Sequence, residues 1–135
     1  FAPSLEFINS SAHLDCSGQS EFSFDIKPNI CVYTTTSECR GRTDVARSEL
    51  LIEFKWHSSD DPFFDPHTPT CADTIGQITS YAAAQLGSQF RTHIYSILVI
   101  KDYARVIRWD RTGAIVTEPI YYNVDPTLAE FFRRY

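Results

Sequence analysis

The sequence predicts an α/β domain, a single mixed sheet sandwiched by helices. Three observations lead there. Strand-length apolar runs dominate the chain, at 49–56, 93–101 and 104–110. One well-formed helical pattern sits between the second and third predicted strands, so the strands on either side of it can lie parallel. At 135 residues the chain is long enough for one domain with a real core, and no repeat, low-complexity stretch or linker divides it.

The elements follow in order. In residues 1–15, Leu5, Ile8 and Ala12 recur at helical spacing and predict a short helix. Residues 16–20 are polar with a glycine and read as a loop. Phe22, Phe24 and Ile26 alternate and predict a strand that Pro28 interrupts and that resumes through Ile30, Val32 and the following threonines. Residues 36–47 are a polar connection. Residues 49–56 are the clearest strand of the first half, with Glu49 at its solvent edge. Residues 57–69 carry Asp60-Asp61-Pro62, Asp65-Pro66 and Pro69, which is loop chemistry.

A helix then begins at Asp73 or Thr74, both good N-caps, and stops at Gly87. Ile75, Ile78, Ala82 and Leu86 give it an apolar face, while Gln77, Tyr81 and Gln85 form a polar stripe four residues apart. Strands at 93–101, 104–110 and 114–117 follow, the last two joined through the turn Asp110-Arg111-Thr112-Gly113. Residues 126–135 close the chain as a helix with Leu128, Phe131 and Phe132 apolar.

Composition narrows the function classes. With 43% hydrophobic and 21% charged residues the chain is ordinary for a soluble globular protein, and no run approaches the roughly 20 apolar residues of a membrane span. The net charge of −5 argues against a surface that grips nucleic acid broadly through phosphates, while leaving room for a small basic rim. The absence of methionine is expected of a fragment of a larger protein or of a chain whose start has been processed. Cys16, Cys31, Cys39 and Cys71 show no regular spacing and read as free thiols of a reducing, intracellular compartment, cytoplasm or nucleus. A Cys31–Cys39 hairpin disulfide stays open as an alternative, as does a zinc site from His57, His67 and Cys71, which lacks an obvious fourth ligand. The four histidines have no serine or cysteine partner at a recognisable spacing, so nucleophilic hydrolase chemistry has no support.

Within the strand Glu49-Leu50-Leu51-Ile52-Glu53-Phe54-Lys55-Trp56, period two places Glu53 and Lys55 on one face. A core strand rarely carries such a pair, because burying either charge alone is expensive. Metal-dependent phosphodiester cleavage needs this arrangement: a carboxylate for the cation, and a lysine to orient water or stabilise charge. The companion it needs is an acid on the preceding strand, where the sequence reads Lys27-Pro28-Asn29-Ile30. An amide stands in the acid's place.

The order of strand, strand with E-x-K, helix, strand resembles the restriction-endonuclease-like fold, the PD-(D/E)xK superfamily. The Pro28-Asn29 pair and Gln77, one turn into the next helix, fit its pattern. A second resemblance rests on six segments in order. They are Ile52-Glu53-Phe54-Lys55, Gly76-Gln77-Ile78-Thr79-Ser80-Tyr81-Ala82, Gln89-Phe90-Arg91-Thr92-His93, Asp102-Tyr103-Ala104-Arg105, Ile107-Arg108-Trp109-Asp110-Arg111-Thr112-Gly113-Ala114 and Phe131-Phe132-Arg133-Arg134-Tyr135. Together they resemble the region preceding the kinase domain in the fungal-type protein kinases of mushroom-forming fungi. The chain itself has no glycine-rich phosphate loop, no H-R-D and no D-F-G, so it is not a kinase catalytic domain.

The superfamily resemblance implies Mg²⁺ (or Mn²⁺) held by Glu53 and by residue 29, with help from the Phe54 carbonyl. Lys55 would act on the attacking water, and Gln77, Tyr81 and Arg108 would contact substrate. Nucleic acid is the partner it implies, and the fungal-type resemblance implies an adjoining kinase domain. Asn29 leaves three alternatives: a natural pseudo-enzyme, an engineered inactivating substitution, or a site in which Asp44 is the second metal ligand. Two functions follow, an impaired nuclease-like module and a non-catalytic binding or regulatory module. Bland alternatives stand beside them: Glu53 and Lys55 as an internal ion pair, Asp60, Asp61 and Asp65 as a solvated loop, and Trp109 packed at a strand end beside exposed Arg105, Arg108 and Arg111.

Overall fold

The computed structural model of the chain describes residues 2–16, 24–38, 43–64 and 67–135. Their framework is a mixed six-stranded sheet in sequential order: β1 (Leu5–Asn9), β2 (Ile30–Thr34), β3 (Leu50–Lys55), β4 (His93–Ile100), β5 (Ala104–Asp110) and β6 (Gly113–Val116). Every neighbouring pair is antiparallel except β3–β4, which is parallel, with α1 (Pro69–Ser88) as its crossover. A parallel pair requires a long connection, and the 20-residue helix supplies it.

Alternation along the strands builds two cores. Leu50, Ile52, Val32, Ile97 and Val106 point to one face, where Phe132 and Leu128 of α2 (Thr127–Arg134) and Ile120 cover them. Leu51, Cys31, Ile94, Leu98 and Ile107 point to the other, under Ile78, Tyr81, Ala82 and Ala84 of α1. The α/β class and the mixed sheet match the sequence expectation. So do the strands at 50–55, 93–100, 104–110 and 113–116 and the closing helix, each within a residue or two. Gly113 turns the β5–β6 hairpin at a φ of 155°, a conformation that side chains disfavour.

Three local expectations need correction. The helix expected in residues 1–15 is the edge strand β1. Leu5 and Phe7 face α2, with Phe7 stacked edge-on against Phe132 at 5.2 Å, while Ile8 packs on the opposite core. Pairing with β2 imposes period two and overrides the i, i+3 spacing. The strand expected from Phe22 falls partly on residues outside those described. Residues 24–29 form no strand, since Pro28 cannot donate and its carbonyl is taken by Ser10 Oγ at 2.8 Å. Finally, α1 begins earlier than expected: Thr68, five residues before Asp73, is the N-cap, its Oγ1 accepting from Cys71 N, and Pro69 fills the first helical position, where its missing N–H costs nothing.

Cys31 and Cys71 are buried free thiols, and Cys39 lies outside the described residues. The Cys71 thiol donates to the carbonyls of Ser59 and Asp61, and no group of three or more His, Cys, Asp or Glu side chains that could hold a metal is found among the described residues. Among those residues, no helix is long and apolar enough to cross a membrane.

Candidate functional site

The polar stripe of α1 faces the sheet rather than solvent. Gln85 is fully buried and its amide donates to Ser48 O at 2.8 Å, which ties the helix to the entry of β3. One turn nearer the helix start, Tyr81 is buried and its hydroxyl accepts from Gln77 Nε2 at 2.9 Å. Gln77 Oε1 in turn accepts from Lys55 Nζ at 2.8 Å, and the same ammonium reaches Glu53 Oε1 at 3.1 Å. One chain of contacts therefore runs Glu53–Lys55–Gln77–Tyr81, joining β3 to α1. Period two on the strand and the four-residue step on the helix place all four side chains between the two elements.

The burial is uneven. Glu53 is only 5% exposed, whereas the Lys55 side chain keeps 23% of its surface in solvent, so the network opens outward at the lysine. Glu53 Oε2 is buried with no hydrogen-bond partner. Burial pushes the Glu53 carboxyl above its ordinary value, opposed by the Lys55 ammonium and more weakly by the Asn29 backbone N–H and the Gln77 side chain. Burial likewise raises Tyr81, and the nearby Glu53 charge adds to it.

Asn29 stands next to Glu53. The β2–β3 register pairs Ile30 with Ile52, and its continuation sets Asn29 opposite Glu53. The Asn29 side-chain oxygen, however, accepts from the backbone N–H of Phe54 at 2.8 Å, standing in for a main-chain carbonyl at the end of the ladder. Asp44 is placed elsewhere. It caps the turn before β3, its carboxylate accepting from Ala46 N at 3.1 Å and from Arg47 Nη1 at 3.0 Å, while its own N–H donates to Tyr33 OH. Glu53 lies toward the opposite end of β3.

Arg108 is not part of the cluster. It shares the face of β5 that carries Ala104 and Val106, the α2 side, and pairs with Asp110 Oδ2 at 3.0 Å. Glu53, Lys55, Gln77, Tyr81 and Asn29 are thus brought together, and Asp44 and Arg108 are not. Comparison with family models, with curated proteins and with solved structures finds no match to the chain. The geometry of these five residues is therefore what any functional reading rests on.

The donor set bears on the implied metal. Around Glu53 the candidates are one carboxylate, the Asn29 amide oxygen and the Phe54 carbonyl. Mg²⁺ favours oxygen donors that carry charge, and here the single carboxylate is shared with Lys55 and pushed toward its neutral form. These residues do not fit a resident Mg²⁺.

Sequence reasoning missed a second buried cluster. Asp61, read as part of a solvated loop, is fully buried; its Oδ2 accepts from Arg105 Nε and from Tyr103 OH, both at 2.7 Å. Arg105 is 5% exposed rather than on the surface, and its guanidinium also donates to Thr117 O. Asp65 lies outside the described residues. The packed alternative holds for Trp109, which is buried with Nε1 donating to Ser96 Oγ at 3.1 Å. The only sequence signal for the Asp61–Arg105 pair was an arginine inside an apolar strand, between Ala104 and Val106.

Proposed function

We propose that this chain is a nuclease-like module of the restriction-endonuclease-like type, in which phosphodiester cleavage is impaired by Asn29. The observation that carries this reading is the buried Glu53–Lys55–Gln77 network with one unpartnered carboxylate oxygen. An unsatisfied buried acceptor costs about 1–3 kcal/mol, and a purely structural ion pair has no evident need to keep one. The β2–β3–α1–β4 order, with the E-x-K motif on β3 and a parallel β3–β4 pair, is compatible with that fold type.

In the active form of such a site, water attacks phosphorus as one P–O ester bond breaks, and the departing oxygen gains a proton. Lys55 would orient the water and stabilise charge on the phosphoryl oxygens. Two carboxylates normally supply the cation, and this chain offers one. At about 4 Å and an effective dielectric near 20, a missing charge pair is worth roughly 4 kcal/mol, enough to weaken metal binding severely.

A second reading has its own support. The raised Glu53 carboxyl and the lone carboxylate favour a non-catalytic binding or regulatory module, which the resemblance would set beside a kinase domain in an intracellular fungal protein. Cleavage of plasmid, single-stranded DNA and RNA with Mg²⁺ or Mn²⁺, by this chain and by Asn29→Asp, separates the two. The aspartate keeps an acceptor for the Phe54 N–H, so the variant is expected to fold. Cleavage by the variant alone supports the impaired nuclease; cleavage by neither leaves the binding module.

A further inference from the structure

Beyond the ends of β3 and β4, on the face opposite Glu53, lies a hollow of about 480 Å³ lined by Phe54, Trp56, Val99, Lys101 and Tyr122, with Lys55 at its edge. Its aromatic side chains are unusually open: Trp56 is 67% and Phe54 46% exposed. Lys101 Nζ sits over the indole of Trp56 at 5.4 Å, and the Tyr122 hydroxyl donates to the Ile100 and Lys101 carbonyls, which fixes the ring at the rim. Phe54 also lines a second hollow of about 270 Å³, with Asn9, Ser11, Asn29 and Ile30. Phe54 is common to both linings, so the two hollows meet at that residue, beside the Asn29–Phe54 hydrogen bond, and together mark out a track.

Charge selects the occupant. In a chain of net charge −5, both residues along this track that carry a charge at neutral pH are lysines. The Lys55 ammonium is committed to Glu53 and Gln77, which leaves Lys101 to meet an anion. A peptide adding to the sheet would need an open strand edge, and the hollow at Trp56 offers none, because β3 and β4 are interior strands paired on both sides. Exposed aromatic faces, a cation beside them, and amide and hydroxyl groups further along suit unpaired bases joined by phosphates.

We infer that this track binds single-stranded nucleic acid, with bases stacked on Trp56 and Phe54, a phosphate on Lys101, and base edges meeting Asn9 and Ser11. The inference rests on the nuclease-like reading and deepens it by naming an unpaired strand as the ligand. Its test is nevertheless separate from cleavage.

The experiment is fluorescence anisotropy of a labelled oligothymidylate in EDTA, with the chain, Trp56→Ala and Lys101→Ala, each checked for folding by circular dichroism. Both side chains are exposed, so both variants should fold. Trp56→Ala is expected to weaken binding about tenfold. Lys101→Ala should weaken it less and reduce the salt slope by about 0.7. Competing duplex DNA should displace the oligomer poorly. The inference is overturned if the oligomer does not bind, if both variants bind as the parent does, or if polyglutamate competes equally, which would mark an acidic-peptide groove. Failure of Asn29→Asp to cleave while Trp56-dependent binding persists would remove the nuclease reading and leave the track.

Discussion

The side-chain oxygen of Asn29 accepts the backbone N–H of Phe54 at 2.8 Å, beside Glu53 in the strand register. The residue that would hold a metal in an active site thus serves as a main-chain substitute at the end of β3. It leaves Glu53 as a lone carboxylate, with Lys55 as its counter-ion and one oxygen unpartnered.

Glu53 should make stability fall as pH rises. Its folded pKa is raised by burial above the ordinary 4.5, so its contribution is fully present below the unfolded value and is lost as pH climbs through the folded one. Glu53→Gln keeps an acceptor for Lys55 and removes the ionisation. Its thermal midpoint should gain on that of the parent chain from acid toward neutral pH. A constant gap across that range would mean that Glu53 is not held neutral by folding.

Lys55→Met should destabilise by about 1–3 kcal/mol near neutral pH, because the Glu53 charge is left buried without a cation. The loss should shrink on the acid side, where the carboxyl takes up a proton instead. Urea denaturation at two pH values measures it. Adding Glu53→Gln should recover part of the loss, since the two residues are coupled.

The Asp61–Arg105 pair should matter far more to stability than the Arg108–Asp110 pair. The first has side chains 0% and 6% exposed, and Asp61 also accepts from Tyr103 OH; the second is about one-third exposed on both sides. Arg105→Met is expected to cost about 3–5 kcal/mol and Arg108→Ala less than about 1 kcal/mol. Equal costs by denaturant unfolding would refute the ranking.

How legible these features were follows from how local their causes are. β3 through β6 were readable because apolar runs bounded by turn residues announce themselves within a few positions. Glu53 and Lys55 sharing a face followed from period two, and the Gln77–Tyr81 step from helical spacing. β1 was not readable, since Leu5 and Ile8 satisfy both periods and only pairing with β2 decides between them. The start of α1 was hidden by a proline that is as much at home at a first helical position as in a loop. Contacts across long separations left little trace: Asp61 meets Arg105 44 residues away, and Asn29 meets Phe54 25 away. The same limit placed Arg108 in the site, because its face of the sheet depends on the register of β5.

The most direct test of the account is a Mn²⁺ titration, followed by electron paramagnetic resonance, of this chain, Asn29→Asp and Glu53→Gln. If Asn29 disables the Glu53 site, the parent chain and Glu53→Gln should bind weakly and alike, and Asn29→Asp at least tenfold more tightly. Equal, Glu53-dependent affinity in the parent chain and Asn29→Asp would contradict it, showing that residue 29 does not limit metal binding.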